Sequence, residues 1–236
     1  SLHCEVNIME YLAYTDGWRG RIGLIATAPG NSTEKEFNKY RPEGVAVLTT
    51  RIPLTSSTVE GIRKMNEYID ASAEMLVTSG HVDMLLLSST AGSFVNGIEW
   101  EREMVKELSD KYKVPVLTSC ACILQAFEAL SIKSVTIFTP SSASLYNAEK
   151  AYFESCGIRF AAEYVMNLAD PSDILKISPL DIFRIIRQTD VPDSDAIFLS
   201  CSGLHVAHMI EVMENDFGKP VIASNQCSLW GALKLL

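Results

Sequence analysis

Residues 197–205 read IFLSCSGLH: an apolar run closes on Ser200-Cys201 and passes at once into small residues. A thiol at the end of a strand and the mouth of a helix can serve as nucleophile or as acid/base group at carbon, because a helix N-terminus raises its thiolate fraction. An earlier stretch, DMLLLSSTAG (83–92), lies over DAIFLSCSGL (195–204) without a gap, and this alignment sets Ser89 against Cys201. Backbone N–H groups in Thr90-Ala91-Gly92 and Ser202-Gly203 are then free at the following helix starts. Small side chains there let a ligand approach the backbone, and the helix dipole favours an anion. Such a cleft suits a carboxylate, with the N–H groups stabilising an enediolate that develops beside it.

Other reactive side chains carry less. His205 and His208 share a helix face in GLHVAH, but no third ligand stands at a recognisable spacing, so first-turn polar packing is the expectation and no metal site is assigned. His205 is near enough to Cys201 in sequence to tune its surroundings without a metal. The loop APGNST is neither GxGxxG nor a P-loop, and LSSTA around Ser89 lacks the GxSxG elbow of an esterase. Six cysteines (Cys4, Cys120, Cys122, Cys156, Cys201, Cys227) show no framework or zinc spacing and read mostly as small buried hydrophobes of a reducing compartment. Cys227 falls in the apolar helix NQCSLWGALKLL, and Trp100 reads as packing or a subunit contact.

The elements that must position these residues alternate between short β-rich runs and longer helical patterns. Strands are predicted at 21–27, 44–51, 82–88, 114–117, 134–139, 157–165, 195–200 and 220–223, and helices at 59–77, 99–111, 143–154, 179–187 and 205–215. Continuously apolar runs such as MLLLS and AIFLS suit parallel strands covered on both faces, hence right-handed βαβ units and an α/β fold.

The chain also repeats itself. RIGLIATAP (21–29) resembles SVTIFTP (134–140), GVAVLTTRI (44–52) resembles GIRFAAEYV (157–165), and VPVLTSC (114–120) resembles KPVIASN (219–225). A repeat of half the chain predicts two similar doubly wound parallel-sheet lobes related by a pseudo-twofold axis, with the active site in the cleft between them at the carboxyl ends of equivalent strands. The expected division is an N-terminal extension over 1–20, a first lobe over 21–122, a second over 123–224, and a C-terminal helix over 225–236 packing back on the first lobe.

Composition limits the partners. A net charge of -9 and a pI near 5.0 argue against a nucleic-acid or anionic-membrane surface, while leaving a small anionic substrate open. No apolar stretch approaches a membrane span, and the first 20 residues, with Glu5, Glu10 and Asp16, do not read as a signal peptide, so the expected compartment is the cytosol.

The stretches STAGSFVNGIEWEREMV (89–105), FLSCSGL (198–204) and KPVIASNQCSLWGALKL (219–235) together resemble the aspartate/glutamate racemase superfamily, in the branch of maleate cis-trans isomerase and arylmalonate decarboxylase. RIGLIATAPGNSTEKEF (21–37) is similar to that family's first strand and ligand loop, so the resemblance covers nearly everything after residue 20. It implies an enzyme without metal or organic cofactor, a homo-oligomer, and a substrate flanked by one cysteine from each lobe. The second of these falls on Cys201. The resemblance further implies that Asn31 contacts a substrate carboxylate, that Thr90, Ala91 and Ser202 donate to carboxylates, and that Asn167 is a further polar ligand. The family's tyrosine after the Thr-Pro of the fifth strand is here Ser141, with Tyr146 one turn later as a substitute.

At the first cysteine position of the family the chain has Ser89. A serine hydroxyl is a far weaker acid than a thiol and is a poor proton shuttle without an adjacent base, and LSSTAGSF supplies none. As a native residue Ser89 leaves one working thiol, the decarboxylase arrangement. As a replacement for a native cysteine it points to a two-thiol isomerase, lyase or racemase. The leading expectation is an isomerase or racemase acting next to a carboxylate of a small (di)carboxylic acid, through Cys201 and Ser89, with Asn31, Thr90 to Gly92, Ser141, Asn167, Ser202 and Gly203 binding the substrate. A one-cysteine decarboxylase or lyase is second, and a non-catalytic carboxylate binder third.

Overall fold

A computed structural model describes residues 14–236. The expected extension over 1–20 lies largely outside them, as does Cys4. The first half runs β1 (Gly20–Thr27), α1 (Ser32–Tyr40), β2 (Val45–Ile52), α2 (Val59–Asn66), α3 (Ile69–Glu74), β3 (Met84–Ser88), α4 (Thr90–Phe94), α5 (Ile98–Tyr112), β4 (Val116–Thr118) and α6 (Ser119–Ala129). The second runs β5 (Ser134–Thr139), α7 (Ala143–Ser155), β6 (Arg159–Val165), α8 (Pro171–Ile174), α9 (Pro179–Thr189), β7 (Ala196–Leu199), α10 (Ile210–Phe217), β8 (Val221–Ala223) and α11 (Ser224–Leu235).

The strands form two parallel sheets of identical order, β2-β1-β3-β4 and β6-β5-β7-β8. These are the correspondences that the internal repeat sets, so the repeat is one of topology. It reaches single side chains. Asp83, before β3, accepts from the N–H of Arg21 at 2.8 Å, and Asp195, before β7, accepts from the N–H groups of Lys133 and Ser134 at 2.9 and 2.8 Å. Each carboxylate ties the start of its lobe's third strand to the start of the first, which holds the two in register.

Strands β3, β5 and β7 are buried along their whole length, as their unbroken apolar runs require of central parallel strands. The two lobes meet where α6 and α11, which follow equivalent strands, pack on each other. Gly231 of α11 permits the approach: a Cβ there would stand 2.5 Å from Cys122 Sγ. Cys120, Cys122 and Cys227 are all buried, as expected, and Trp100 packs partly buried against the same core. Phe127 of α6, Phe153 of α7 and Phe198 of β7 meet edge to face, with Phe198 centroid distances of 5.4 and 5.3 Å, joining the interface to the second sheet.

Helices α1, α4, α6 and α8 lie outside the predicted helix ranges, and two of the expected helices differ in extent. The pattern over 59–77 is not one helix: α2 closes in a tight turn, the Glu67 N–H reaching Lys64 O, and α3 ends in a π-helical turn at Met75–Ser79. These adjustments keep Ile62, Met65, Ile69 and Leu76 all facing the core. The helix expected over 205–215 begins only at Ile210, after a 3₁₀ turn at Ala207–Met209. Among the described residues no helix is long and apolar enough to cross a membrane.

Candidate active site

Both lobes turn the carboxyl ends of β1, β3, β5 and β7 towards one narrow cavity of about 60 Å³, enclosed by the loops that follow these strands. Its lining includes Ser89, Thr90 and Ala91 from the first lobe and Ser141, Cys201, Ser202 and Gly203 from the second. Seven of the ten residues selected from the sequence thus converge, although well over a hundred positions separate the first group from the last. At roughly 10–15 Å³ for each water on this measure, the space matches a compact acid and not a nucleotide. Hydroxyl groups dominate its polar lining. Glu34 is the charged lining side chain, and it is held by Arg51, whose guanidinium also donates to the carbonyls of Ala28 and Gly30.

Ser89 ends β3 in extended backbone and caps α4, its Oγ accepting the Gly92 N–H at 3.0 Å. The N–H groups of Thr90 and Ala91, in the first turn, are the ones left without a helical acceptor. Gly92 does not line the cavity. Its amide is used by the cap, its carbonyl accepts from Asn66 Nδ2 at 2.9 Å, and a Cβ would crowd Asn66 and Met65 at 3.1 Å, so it is a packing glycine between α4 and α2.

Cys201 is the thiol of the cavity lining. Its sulfur accepts the Gly203 N–H at 3.3 Å, its own N–H donates to Ser224 Oγ at 3.1 Å, and its φ of 152° is one that L-residues seldom adopt. The expected helix dipole does not act on it. Residues 202–206 stay out of helix because side chains from α1 and α11 take their carbonyls: Ser32 Oγ donates to Gly203 O at 2.8 Å, and Asn225 Nδ2 to Ser202 O at 3.1 Å. Burial therefore governs the thiol and pushes it up to about 11, with the N–H groups of Gly203 and Leu204 opposing the shift and buried Glu149 adding to it. The expectation of a lowered thiol pKa is corrected accordingly.

Asn31 and Asn167 also lie outside the lining. Asn31 is exposed at the start of α1 while its neighbours Gly30 and Ser32 face the cavity. Asn167, with φ 58°, accepts the Ala143 N–H at 2.8 Å and so caps α7. Tyr146 packs in the core, where burial raises its phenol, and does not replace the family tyrosine. His205 sits with Nδ1 3.2 Å from Glu36 and its ring 5.1 Å from that of His208, and burial holds its imidazole below the usual range.

The sequence reading missed the interlobe network that holds the Cys201 loop. Buried Glu36 accepts from Asn225 Nδ2 and from the Ala207 N–H, both at 2.8 Å, while Thr33 Oγ1 donates to Asn225 Oδ1 at 3.0 Å and accepts from Ser88 Oγ at 3.1 Å. One signal was legible: Glu36 directly precedes the buried Phe37. Asn225→Ala is expected to lower unfolding free energy by about 2–3 kcal/mol, because it strands a buried carboxylate oxygen and two carbonyls. Urea denaturation checks this, and a loss under about 0.5 kcal/mol, the level of an ordinary surface change, would contradict it.

A family model described as arylmalonate decarboxylase matches residues 22–236. The maleate isomerase of Geobacillus stearothermophilus is 22% identical over 230 residues, covering 92% of this chain and 91% of that protein. The arylmalonate decarboxylase of Bordetella bronchiseptica is 22% identical over 227 residues, covering 91% and 89%. The fold is shared with a cysteine-to-serine mutant of Nocardia farcinica maleate cis-trans isomerase that carries a covalently bound succinylcysteine intermediate: TM-score 0.85, 18% identity, 91% of each chain covered.

Proposed function

Since the chain belongs to the arylmalonate decarboxylase family, we propose that it is an isomerase of a small unsaturated dicarboxylate that works without a cofactor, with Cys201 as its reactive thiol. The observation that carries this reading is the position of Cys201: a thiol with its sulfur on a backbone N–H, in a small cavity lined by hydroxyls from both lobes. The thiolate adds to one alkene carbon, and the π pair moves onto the neighbouring carboxylate as an enediolate. The donors of the cavity, the first-turn N–H groups of Thr90 and Ala91 with the hydroxyls of Ser141 and Ser202, stabilise that charge. Rotation about the new single bond and return of the pair expel the thiolate and leave the trans alkene. Electrons and protons balance within the cycle, so the chemistry calls for no redox partner. The succinylcysteine held by the Nocardia farcinica enzyme supports a covalent step of this kind.

A second reading is favoured by two specific observations. Ser89 Oγ accepts the Gly92 N–H as a helix cap, and burial pushes the Cys201 thiol up to about 11. One thiol of that kind suits a decarboxylase: a substituted malonate loses carbon dioxide, and Cys201 delivers a proton to one face of the enediolate. The test is a panel of maleate, aspartate, a hydantoin, and aryl- and alkylmalonates in heavy water. Fumarate from maleate supports the isomerase; carbon dioxide with deuterium on one face of the product supports the decarboxylase. Binding without conversion or exchange, in both this protein and its Ser89→Cys variant, sinks both readings and leaves a carboxylate-binding relative.

A further inference from the structure

Behind the cavity, on α7, stands a carboxyl group that the mechanism above leaves unused. Glu149 is fully buried, and among the described residues no cation pairs with it. Its partners are hydroxyls: Ser200 Oγ donates to Oε1, and Thr139 Oγ1 stands 3.0 Å from Oε2. The same Thr139 oxygen is 3.0 Å from Ser141 Oγ, and Ser141 lines the cavity together with Cys201. An unbroken line of hydrogen-bonding groups therefore runs from the closed core, Glu149 to Thr139 to Ser141, and opens into the cleft. Each hydroxyl has one proton, so the line has two self-consistent settings: with Glu149 neutral every proton points towards the cleft, and with Glu149 ionised every proton points towards the carboxylate.

We propose that Glu149 is a positioning residue that stores the proton of Cys201, the two forming one coupled proton pair linked through Thr139 and Ser141. When the thiol ionises, the S–H bond breaks and its proton crosses the cleft on a water to Ser141. Ser141 passes its own proton to Thr139, Thr139 passes its own to the carboxylate, and an O–H bond forms at Glu149. Both hydroxyls end with one proton, as they began. Reversal restores the thiol. In the reading given above, which this inference extends, the pair supplies the nucleophilic thiolate of the isomerase or recharges the proton donor of the decarboxylase.

Energetics favour a proton store over a structural tie. A buried carboxyl without a cation costs more than an amide of the same shape, so Glu149 is a strained acid where it stands. Burial pushes Glu149 up to about 7, with the hydroxyls of Ser200, Thr139 and Ser141 opposing the shift. The titratable groups that face it are the Cys201 thiol from the loop after β7, the Cys120 thiol from α6 and the Tyr146 phenol on its own helix, and burial holds the protons on all three. Glu149 is the carboxylate whose charge acts on the Cys201 thiol. The sequence carries its signal: Leu145, Tyr146, Glu149, Tyr152 and Phe153 form the buried face of α7, and one of the five is an acid.

The test is the pH profile of iodoacetamide alkylation at Cys201, read on the Cys201 peptide by mass spectrometry. In a coupled pair the rate rises with pH, flattens into a shelf where Glu149 ionises, near pH 7, and then rises again. E149Q, which can still accept from one hydroxyl and donate to the other, is expected to lose the shelf. Above it, E149Q is expected to react about tenfold faster, the relief of one unit of like-charge repulsion. T139V removes a donor to the ionised form and is expected to move the shelf to higher pH. A folded E149Q that keeps the wild-type shelf overturns the proposal; if E149Q does not fold, an unmoved shelf in T139V does so. The reagent needs no substrate, so a shelf that follows Glu149 in a protein inert towards the carboxylate panel would overturn the assigned reaction and leave the proton pair standing.

Discussion

Cys201→Ala is expected to lower turnover by about 10³-fold or more while leaving substrate affinity within a few-fold of wild type. The carboxylate donors come from other residues, and the sulfur contributes one acceptor, to the Gly203 N–H, so binding survives its loss. The covalent or proton-donating step does not survive, because no other thiol lines the cavity among the described residues. Steady-state kinetics paired with calorimetric titration of substrate separates the two effects. Activity within tenfold of wild type would remove Cys201 from the chemistry. The pH dependence of the unmodified protein then tells which chemistry it is. With the thiol near 11, a thiolate nucleophile gives a rate that climbs through the alkaline range, whereas a thiol proton donor gives a rate that holds to about pH 10 and falls above it.

Ser89→Cys is expected to have the second large effect, a gain and not a loss. The side chain at this position stands at the end of β3 as Cys201 stands at the end of β7, and the two face the same cavity from opposite lobes. A thiol there supplies a second group able to attack or to deliver a proton, from the other wall. Isomerisation of maleate is expected to rise by about 10²-fold, the usual worth of one acid/base or nucleophilic group. If the native reaction is decarboxylation, the product is expected to lose its single handedness, since both faces of the enediolate become accessible to a proton. The gain has a structural cost. Sulfur replaces the Ser89 oxygen that caps Gly92 N–H, and loss of an N-cap costs about 1 kcal/mol, or roughly 2–4 °C in Tm for a chain of this size. Unchanged rate and unchanged stereochemistry, with that small thermal shift present, would mean that position 89 serves only the cap.

Position 89 both caps α4 and lines the cavity. In the repeat, Ser88-Ser89 corresponds to Ser200-Cys201, and both serines before the paired positions are buried. Ser88 Oγ reaches Thr33 and Ser200 Oγ reaches Glu149, so each lobe anchors the end of its third strand on the helix that follows its first. The anchors differ in kind. The first belongs to a network that crosses between lobes through Asn225 and Glu36, and the second stays within its own lobe and ends at the cavity through Ser141. The two lobes thus share a topology, while the polar groups behind Ser89 and Cys201 differ.

Residue pattern was enough to read the two-lobe architecture and to single out Cys201. Apolar runs of strand length, alternating with helical patterns, can be buried in only a few ways, and a repeat along the chain forces the same solution twice, so eight strands in two parallel-sheet lobes and the convergence of Ser89 and Cys201 were legible, while the strand order came from the structure. Which polar groups hold the cavity walls follows only from how distant segments pack. Asn31 and Asn167, chosen from local pattern, turn out to sit at a helix start and a helix cap, because a short polar side chain next to free backbone N–H groups is used first by its own backbone. Glu36, Asn225 and Glu149 act across distances of up to about 190 residues along the chain, and no local periodicity encodes such a pairing. The acidity of Cys201 was decided in the same way. A helix start after the strand predicts a lowered pKa, but Ser32 and Asn225 divert the backbone into a loop, and burial, a property of the whole fold, then sets the thiol.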